Sequence, residues 1–287
     1  FGIVKVTGDF GVEKKTNQPL YVSSATAANE EVTGANLLTI GLANVSAFVG
    51  FGSIGLDLQN VDLAIALWSE VVVSGTPRSW TSVMGNVGSA TFTGIEGLTL
   101  LATNVGIVVN KKATDDTVVD YVLGANEMTA TTLKVKVSPN AADDVTFAID
   151  DLNGDYVRVT GHATIDLFGF VSVTGDFGIE KKTNQNVVLS TGTATANLLT
   201  IGLSNVSAFL GFGQGTSNAL GIQMTGIDLA IALWTENIET NPRSWTSVKA
   251  SVASASLVGL SVLDLSVTTF GIEVNKENES DHTVVNY

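Results

Sequence analysis

The sequence predicts an all-β fold, namely a parallel β-solenoid built from repeated strand–corner–strand units. Three observations lead to this prediction: a long internal repeat, alternation of apolar and polar residues inside the repeated blocks, and Gly or Asn at fixed places between the alternating runs. Long-period repeats are typical of arrays in which each unit buries its apolar face against the next unit.

The repeat covers most of the chain. Insertions and deletions fall between the shared blocks and never inside them, as expected for strands held in a ladder with variable loops outside. We therefore expect one continuous elongated array, with a first unit at residues 1–167 and a truncated second unit at residues 168–287. The shared blocks, each followed by its copy, are Phe1–Gln18 and Phe168–Gln185, Ala35–Gly52 and Ala196–Gly213, Asp62–Trp68 and Asp228–Trp234, and Pro77–Val83 and Pro242–Val248.

Each unit also contains a shorter pattern in which two alternating runs flank a polar pair, as in Val4–Val12 and Val157–Ile165. Period-two alternation indicates half-buried strands. The pair usually ends in Gly or Asn, which reach positive φ at low cost, and we expect positive φ at Asn60 and at its counterpart Gly226. This pattern favours solenoid corners. Hairpins or a meander, in the form of tandem antiparallel β-sandwich domains, are the alternative.

Composition excludes several classes of function. The 287 residues carry 14 Lys and Arg against 28 Asp and Glu, a net charge of −14, which argues against nucleic-acid and anionic-membrane partners. The absence of Cys excludes disulfides and thiolate metal sites. No apolar run is long enough for a transmembrane helix. Because Phe1 lies inside a repeat block, we expect the chain to be part of a longer protein.

One short acidic stretch is a candidate calcium site. Asp151, Asn153 and Asp155 place oxygen atoms at alternate residues, the spacing that calcium loops use. The bidentate Glu that completes such a loop is missing, and an Asn-Gly turn with acidic flanks explains the stretch equally well. No other cofactor is predicted.

The repeated PRSW segments are the candidate binding site. Arg78 and Trp80 return as Arg243 and Trp245, and sugars stack on exposed Trp faces, so the pairs could form a glycan platform. The alternative is a packing role, in which each Arg lies on an indole as a cation–π contact. We favour packing.

No catalytic residue is predicted. The two His residues, His162 and His282, lie outside the shared blocks, and Ser, His and Asp do not form a recognisable triad. An insertion breaks the correspondence between the acidic loops near Asp115 and Asp281, which predicts solvated loops and no shared ligand set.

The blocks VTGDFGIEKK, LSNVSAFLGFG and GIDLAIAL resemble the repeats of giant bacterial secreted and cell-surface proteins, the adhesin-like or haemagglutinin-like repetitive proteins. The resemblance implies an extracellular, β-rich protein with a structural or adhesive task. Because solenoid ends expose unpaired strand edges, we expect self-association or neighbouring repeats of the same protein as partners, and a glycan or cell surface is the candidate target. Two alternatives stay open: a carbohydrate-active β-helix protein, such as a polysaccharide lyase or a glycan binder, and a calcium-dependent adhesion module.

Overall fold

The computed structural model describes residues 4–24, 27–122, 129–140, 144–149, 154–260, 263 and 265–287. Fourteen strands run through these residues, and none of the described residues is helical. The strands are β1 (Val4–Ser24), β2 (Ala27–Phe51), β3 (Ile54–Ser69), β4 (Ser79–Thr93), β5 (Leu98–Lys111), β6 (Val118–Val119), β7 (Lys134–Val135), β8 (Val145–Thr146), β9 (Tyr156–Leu167), β10 (Val171–Leu189), β11 (Gly192–Phe212), β12 (Leu220–Glu236), β13 (Ser244–Val258) and β14 (Ser266–Lys276).

Twelve of these strands form one sheet in the order β14-β13-β12-β11-β10-β9-β5-β4-β3-β2-β1-β6, and β7 pairs with β8 separately. The all-β prediction is therefore confirmed. Every described pair is antiparallel, which differs from the parallel pairing expected of a solenoid. The physical reason lies in the connections: Phe51 pairs with Ile54 and Leu189 with Gly192, and such short turns can join only antiparallel strands.

The two repeat units have the same strand pairing. Val4 pairs with Val49 in the first unit, and Val171 pairs with Leu210 at the equivalent place in the second unit. The predicted equivalence of these blocks is confirmed over the described residues. Strand β9 joins the units, because it pairs with β5 on one side and with β10 on the other.

The recurring Asn and Gly residues lie inside long strands. Positive φ is present at Asn60 (52°) and Gly226 (60°), as predicted. The interpretation of these residues as corners is corrected, because the pairing register shifts beside them while the strand continues. They are β-bulges, in which two residues on one strand oppose one residue on its partner. The other residues of this row that have positive φ and are not glycine are Asn44, Asn104, Asn205 and Thr269.

A shared hydrogen bond fixes one bulge in each unit. The backbone N–H of Asn44 donates to Asp62 Oδ1 at 2.8 Å, and the N–H of Asn205 donates to Asp228 Oδ1 at 3.0 Å. The extra residue of a bulge lacks a place in the ladder, so its N–H requires such a partner. This requirement explains why the Asp and the Asn are both retained in the two copies.

Residues 129–140 and 144–149, which lie between β5 and β9 in the sequence, cover one face of the first unit. Leu133, Val135 and Val137 are buried there at 4%, 0% and 1% exposure, in one cluster with Trp68 and Trp80 of the sheet. The second unit has only a small buried cluster, which includes Val187, Leu189 and Trp245. The two units are therefore alike in the sheet and different in what covers it.

The opposite face of the sheet carries apolar side chains along its whole width. Ile40, Ile65 and Val83 are half-buried, and Val274 is 47% exposed. A continuous apolar surface of this kind marks a place of contact with another layer or molecule. Among the described residues, no helix has the length and apolar character to cross a membrane.

Candidate functional site

The repeated PRSW segments open strands β4 and β13, directly after the β3–β4 and β12–β13 connections. The N–H of Glu70 donates to the Arg78 carbonyl at 2.9 Å and closes the first connection, and Glu236 and Arg243 do the same at 2.8 Å in the second. Each closing pair places an arginine side chain beside a glutamate. We call the two groups around Arg78 and Arg243 the Arg–Trp clusters.

The guanidinium of Arg78 donates hydrogen bonds to three carboxylates. Its Nε and Nη2 donate to both oxygens of Glu70 at 3.0 and 2.8 Å, its Nη2 also donates to Glu30 at 2.9 Å, and its Nη1 donates to Asp115 at 2.8 Å. Hydrogen bonds from Arg78 hold the pKa of Glu70 below its ordinary value, and the same bonds raise the pKa of Arg78. The guanidinium is therefore committed to the protein's own carboxylates and has little capacity left for a ligand.

Trp80 lies under this guanidinium. The Arg78 Cζ is 5.3 Å from the indole centre, the indole is 1% exposed, and its Nε1 donates to Thr117 at 3.1 Å. A sugar ring needs an open aromatic face for stacking. In this structure that face is covered, so the cluster has the geometry of a cation–π packing contact.

The second cluster has the same construction. Arg243 Cζ is 5.2 Å from the Trp245 ring centre, Trp245 is 1% exposed, and its Nε1 donates to Thr283 at 3.0 Å. Arg243 bonds Glu236 at 2.8 and 2.6 Å and Asp281 at 2.9 Å. Hydrogen bonding to Arg243 lowers the pKa of Glu236 and also that of Asp281.

The interpretation that an insertion breaks the correspondence between the loops at Asp115 and Asp281 is corrected. Asp115 accepts from the N–H and hydroxyl of Thr117 at 3.2 and 2.7 Å, and Asp281 accepts from those of Thr283 at 3.1 and 2.8 Å. Both loops then turn the carboxylate toward the arginine of their unit. Burial raises the pKa of Asp115, but the hydrogen bonds from Thr117 and Arg78 outweigh it and the net shift is downward.

The glutamates of the clusters were missed by sequence reasoning. Glu70 and Glu236 each stand two residues after the repeated Trp, and they lie eight and seven residues before the arginine of their unit. That spacing fits a hairpin, which brings the two ends together, but not a solenoid coil. The error in strand direction therefore concealed the ion pairs.

Asp155 of the candidate calcium stretch is 8% exposed and pairs with Lys111 at 3.1 Å. Asp151 and Asn153 lie outside the described residues, so calcium binding there stays a prediction. In the described part of the chain, no three His, Cys, Asp or Glu side chains are grouped as a metal site.

The structure also brings a histidine between an acid and a hydroxyl. His162 Nδ1 lies 2.8 Å from Asp176 Oδ1, and its Nε2 lies 3.0 Å from Thr174 Oγ1. The sequence did not predict these contacts of His162, because they form only when β9 pairs with β10. Acyl transfer would also need donors aimed at an oxyanion, but Thr174 lies in a strand paired on both sides, whose backbone groups serve the ladder. The contacts of His162 fit a cross-strand polar network.

No family model matches this chain, and the comparisons with curated proteins and with solved structures found no significant match.

Proposed function

We propose that this chain is a structural or adhesive segment of a long extracellular bacterial surface fibre and that it carries out no catalysis. The observation that supports the proposal best is the junction at β9. Strand β9 alone joins the two repeat units into one continuous antiparallel sheet. Further units can be added through the same strand pairing, without a new kind of contact.

The ends of the sheet support this proposal. The outer edge of β5 pairs with β9 from Leu98 to Asn110. The equivalent edge of β14 has no partner strand in the described part of the chain. At the other end, only Val22 and Ser23 of β1 pair with β6 among the described residues, whereas the equivalent strand β10 pairs with β9 from Val171 to Lys181. Unpaired edges are templates for another strand, which a fibre would supply.

The polar chemistry of the chain also supports a structural role over the alternative of a polysaccharide lyase. Such an enzyme needs basic groups that converge on an acidic sugar, and the sequence has three Arg residues. Arg78 and Arg243 are engaged by carboxylates of the protein. The repeated polar groups therefore hold the ends of hairpins together.

Labelling of intact cells tests the proposal. An antibody raised against the purified chain should decorate material outside the cell that produces the protein, and deletion of the gene should reduce attachment to surfaces. An antibody against a cytoplasmic protein is the control for lysis. Labelling that appears only after the cells are opened would contradict the proposal.

A further inference from the structure

The covering segment of the first unit, Thr131–Ser138, sits on a pair of glycines. Gly11 and Gly41 face each other across the β1–β2 pair. A β-carbon built on Gly11 would lie 2.8 Å from the Lys136 carbonyl oxygen, and one built on Gly41 would lie 2.6 Å from the Cα of Val137. The two glycines therefore make room for the backbone of an extended segment that crosses this face.

The second unit keeps the glycine pair, and none of the described residues covers it. Gly178 and Gly202 face each other across the β10–β11 pair. A β-carbon built on Gly202 would come no closer than 3.9 Å to any described atom, and one on Gly178 no closer than 3.7 Å. An open trough of about 750 Å³ lies over this pair.

The floor of the trough is made of small side chains. Ala230, Ala232 and Ser247 line it, at the places that Ala64, Ala66 and Ser82 hold beneath the covering segment of the first unit. The three residues of the first unit are fully buried at 0% exposure. The second unit therefore presents, uncovered, a surface that packs against an extended chain in the first unit.

A tyrosine at the rim also has no aromatic partner among the described residues. In the first unit Tyr121 packs on Phe147 with ring centres 5.1 Å apart and is 7% exposed. Tyr287 keeps the equivalent place, since Trp234 Nε1 lies 3.4 Å from its hydroxyl as Trp68 Nε1 lies 3.1 Å from that of Tyr121. Its ring is nevertheless 78% exposed.

One side of the trough is charged, whereas the equivalent place in the first unit is apolar. Lys249 and Glu273 stand where the first unit has Met84 and Val108, and they form an ion pair of 2.8 Å. Met84 lies against the residues that follow β8 in the cover, where its Sδ accepts from the N–H of Ala148 at 3.4 Å. An occupant of the second unit must therefore be apolar over the glycine pair and polar beside the ion pair.

We propose that this trough is a docking site for an extended polypeptide segment with branched apolar side chains at alternate positions, the pattern of Leu133, Val135 and Val137. This inference rests on the proposed function for the origin of the docked segment, which a neighbouring unit of the fibre would supply. The docking site itself is a property of the isolated chain. A failure of peptide binding and a failure of surface labelling are therefore distinguishable.

A synthetic peptide with the sequence of residues 129–149, labelled with a fluorophore, is the probe. Titration with the purified chain should give saturable one-to-one binding by fluorescence anisotropy. A peptide with serine in place of Leu133, Val135 and Val137 should bind at least about tenfold more weakly, because it loses its buried apolar area. A peptide with serine in place of Lys134 and Lys136, which point away from the face, should bind within about threefold of the original.

A chain variant checks the location. A β-carbon at residue 202 comes no closer than 3.9 Å to another residue, so Gly202→Val should fold like the parent and lose at least about tenfold in peptide affinity. Gly271→Val, also in a strand but outside the trough, is the matched control and should bind normally. If the solitary peptide is too flexible to bind measurably, the same sequence joined after Tyr287 by a Gly/Ser linker should slow hydrogen exchange at Ala230 and Ala232.

The inference would be overturned by binding of Gly202→Val equal to that of the parent, by equal binding of the serine-substituted and original peptides, or by a lack of protection from the tethered segment. A concentration-dependent dimer that Gly202→Val abolishes, in a chain that binds no peptide, would also overturn it, because a second copy would then cover the trough.

Discussion

At each bulge of Asn60 and Gly226, two facing residues on neighbouring strands compete for the space of one β-carbon, and this competition can be tested by mutation. Asn60, with positive φ, lies opposite Gly88, and a β-carbon built on Gly88 would be 2.8 Å from the β-carbon of Asn60. In the second unit the arrangement is reversed: Ala253 carries the β-carbon and Gly226 has none, and one built on Gly226 would lie 2.7 Å from that of Ala253. Each pair has room for only one β-carbon.

Gly88→Ala should therefore lower the free energy of unfolding by about 1–3 kcal/mol, the usual cost of an added methyl group in a packed site. Asn60→Gly alone should have a small effect, because glycine keeps positive φ accessible. The double variant reproduces the pair of the second unit and should recover most of the loss, with a coupling energy of about 1–2 kcal/mol.

Urea unfolding followed by circular dichroism measures all four members of this cycle, with the slope of the transition as a check that its cooperativity is unchanged. The mirror cycle, Gly226→Asn with and without Ala253→Gly, is the matched control in the other unit. If Gly88→Ala is as stable as the parent, or if the two changes add without coupling, the steric reasoning is refuted.

Three further results are expected. Trp245→Ala should lower stability by about 3–5 kcal/mol through the cavity it leaves, with no selective loss on a glycan array; a variant with the parent's melting temperature but no glycan binding would favour the platform instead. Thr269→Asn should raise stability by about 1 kcal/mol, because Thr269 holds a φ of 56° that a β-branched residue adopts only with strain; an unchanged or lower urea midpoint would contradict this. The pKa values of Glu70 and Glu236 are lowered in the folded chain, so the stability that these carboxylates contribute is complete above about pH 4.3, the pKa of unfolded Glu. This stability is lost as pH falls through the lower folded pKa values. The melting temperature should therefore drop across that pH range, and it should drop less in a variant with Gln at both positions.

The sequence was sufficient to predict strands, the equivalence of the two units and the positive φ at Asn60 and Gly226. It was not sufficient for strand direction, because alternation has the same period of two in parallel and antiparallel sheets. The Asn and Gly residues were therefore interpreted as corners. A residue with positive φ can turn a chain or form a bulge, and only the pairing of the neighbouring strands distinguishes the two.

The Arg–Trp clusters were found by repetition, but their partners were not. The contact between Arg78 and Trp80 is local and could be proposed from spacing. Glu30 is 48 residues and Asp115 is 37 residues from Arg78, and both reach it only through the folded sheet. Sequence alone identifies which residues recur, whereas the ion pairs depend on contacts distant in the chain.

The differences between the units follow from what covers each of them. Where the first unit has a covering segment, Met84 and Val108 are apolar and pack beneath it. The equivalent Lys249 and Glu273 of the second unit are exposed and paired. Yet the glycines that accommodate the cover are retained at Gly178 and Gly202. A strand open to solvent gains nothing from glycine, which is a poor strand former. Their retention is therefore better explained by a backbone that must approach this face than by the stability of the free sheet.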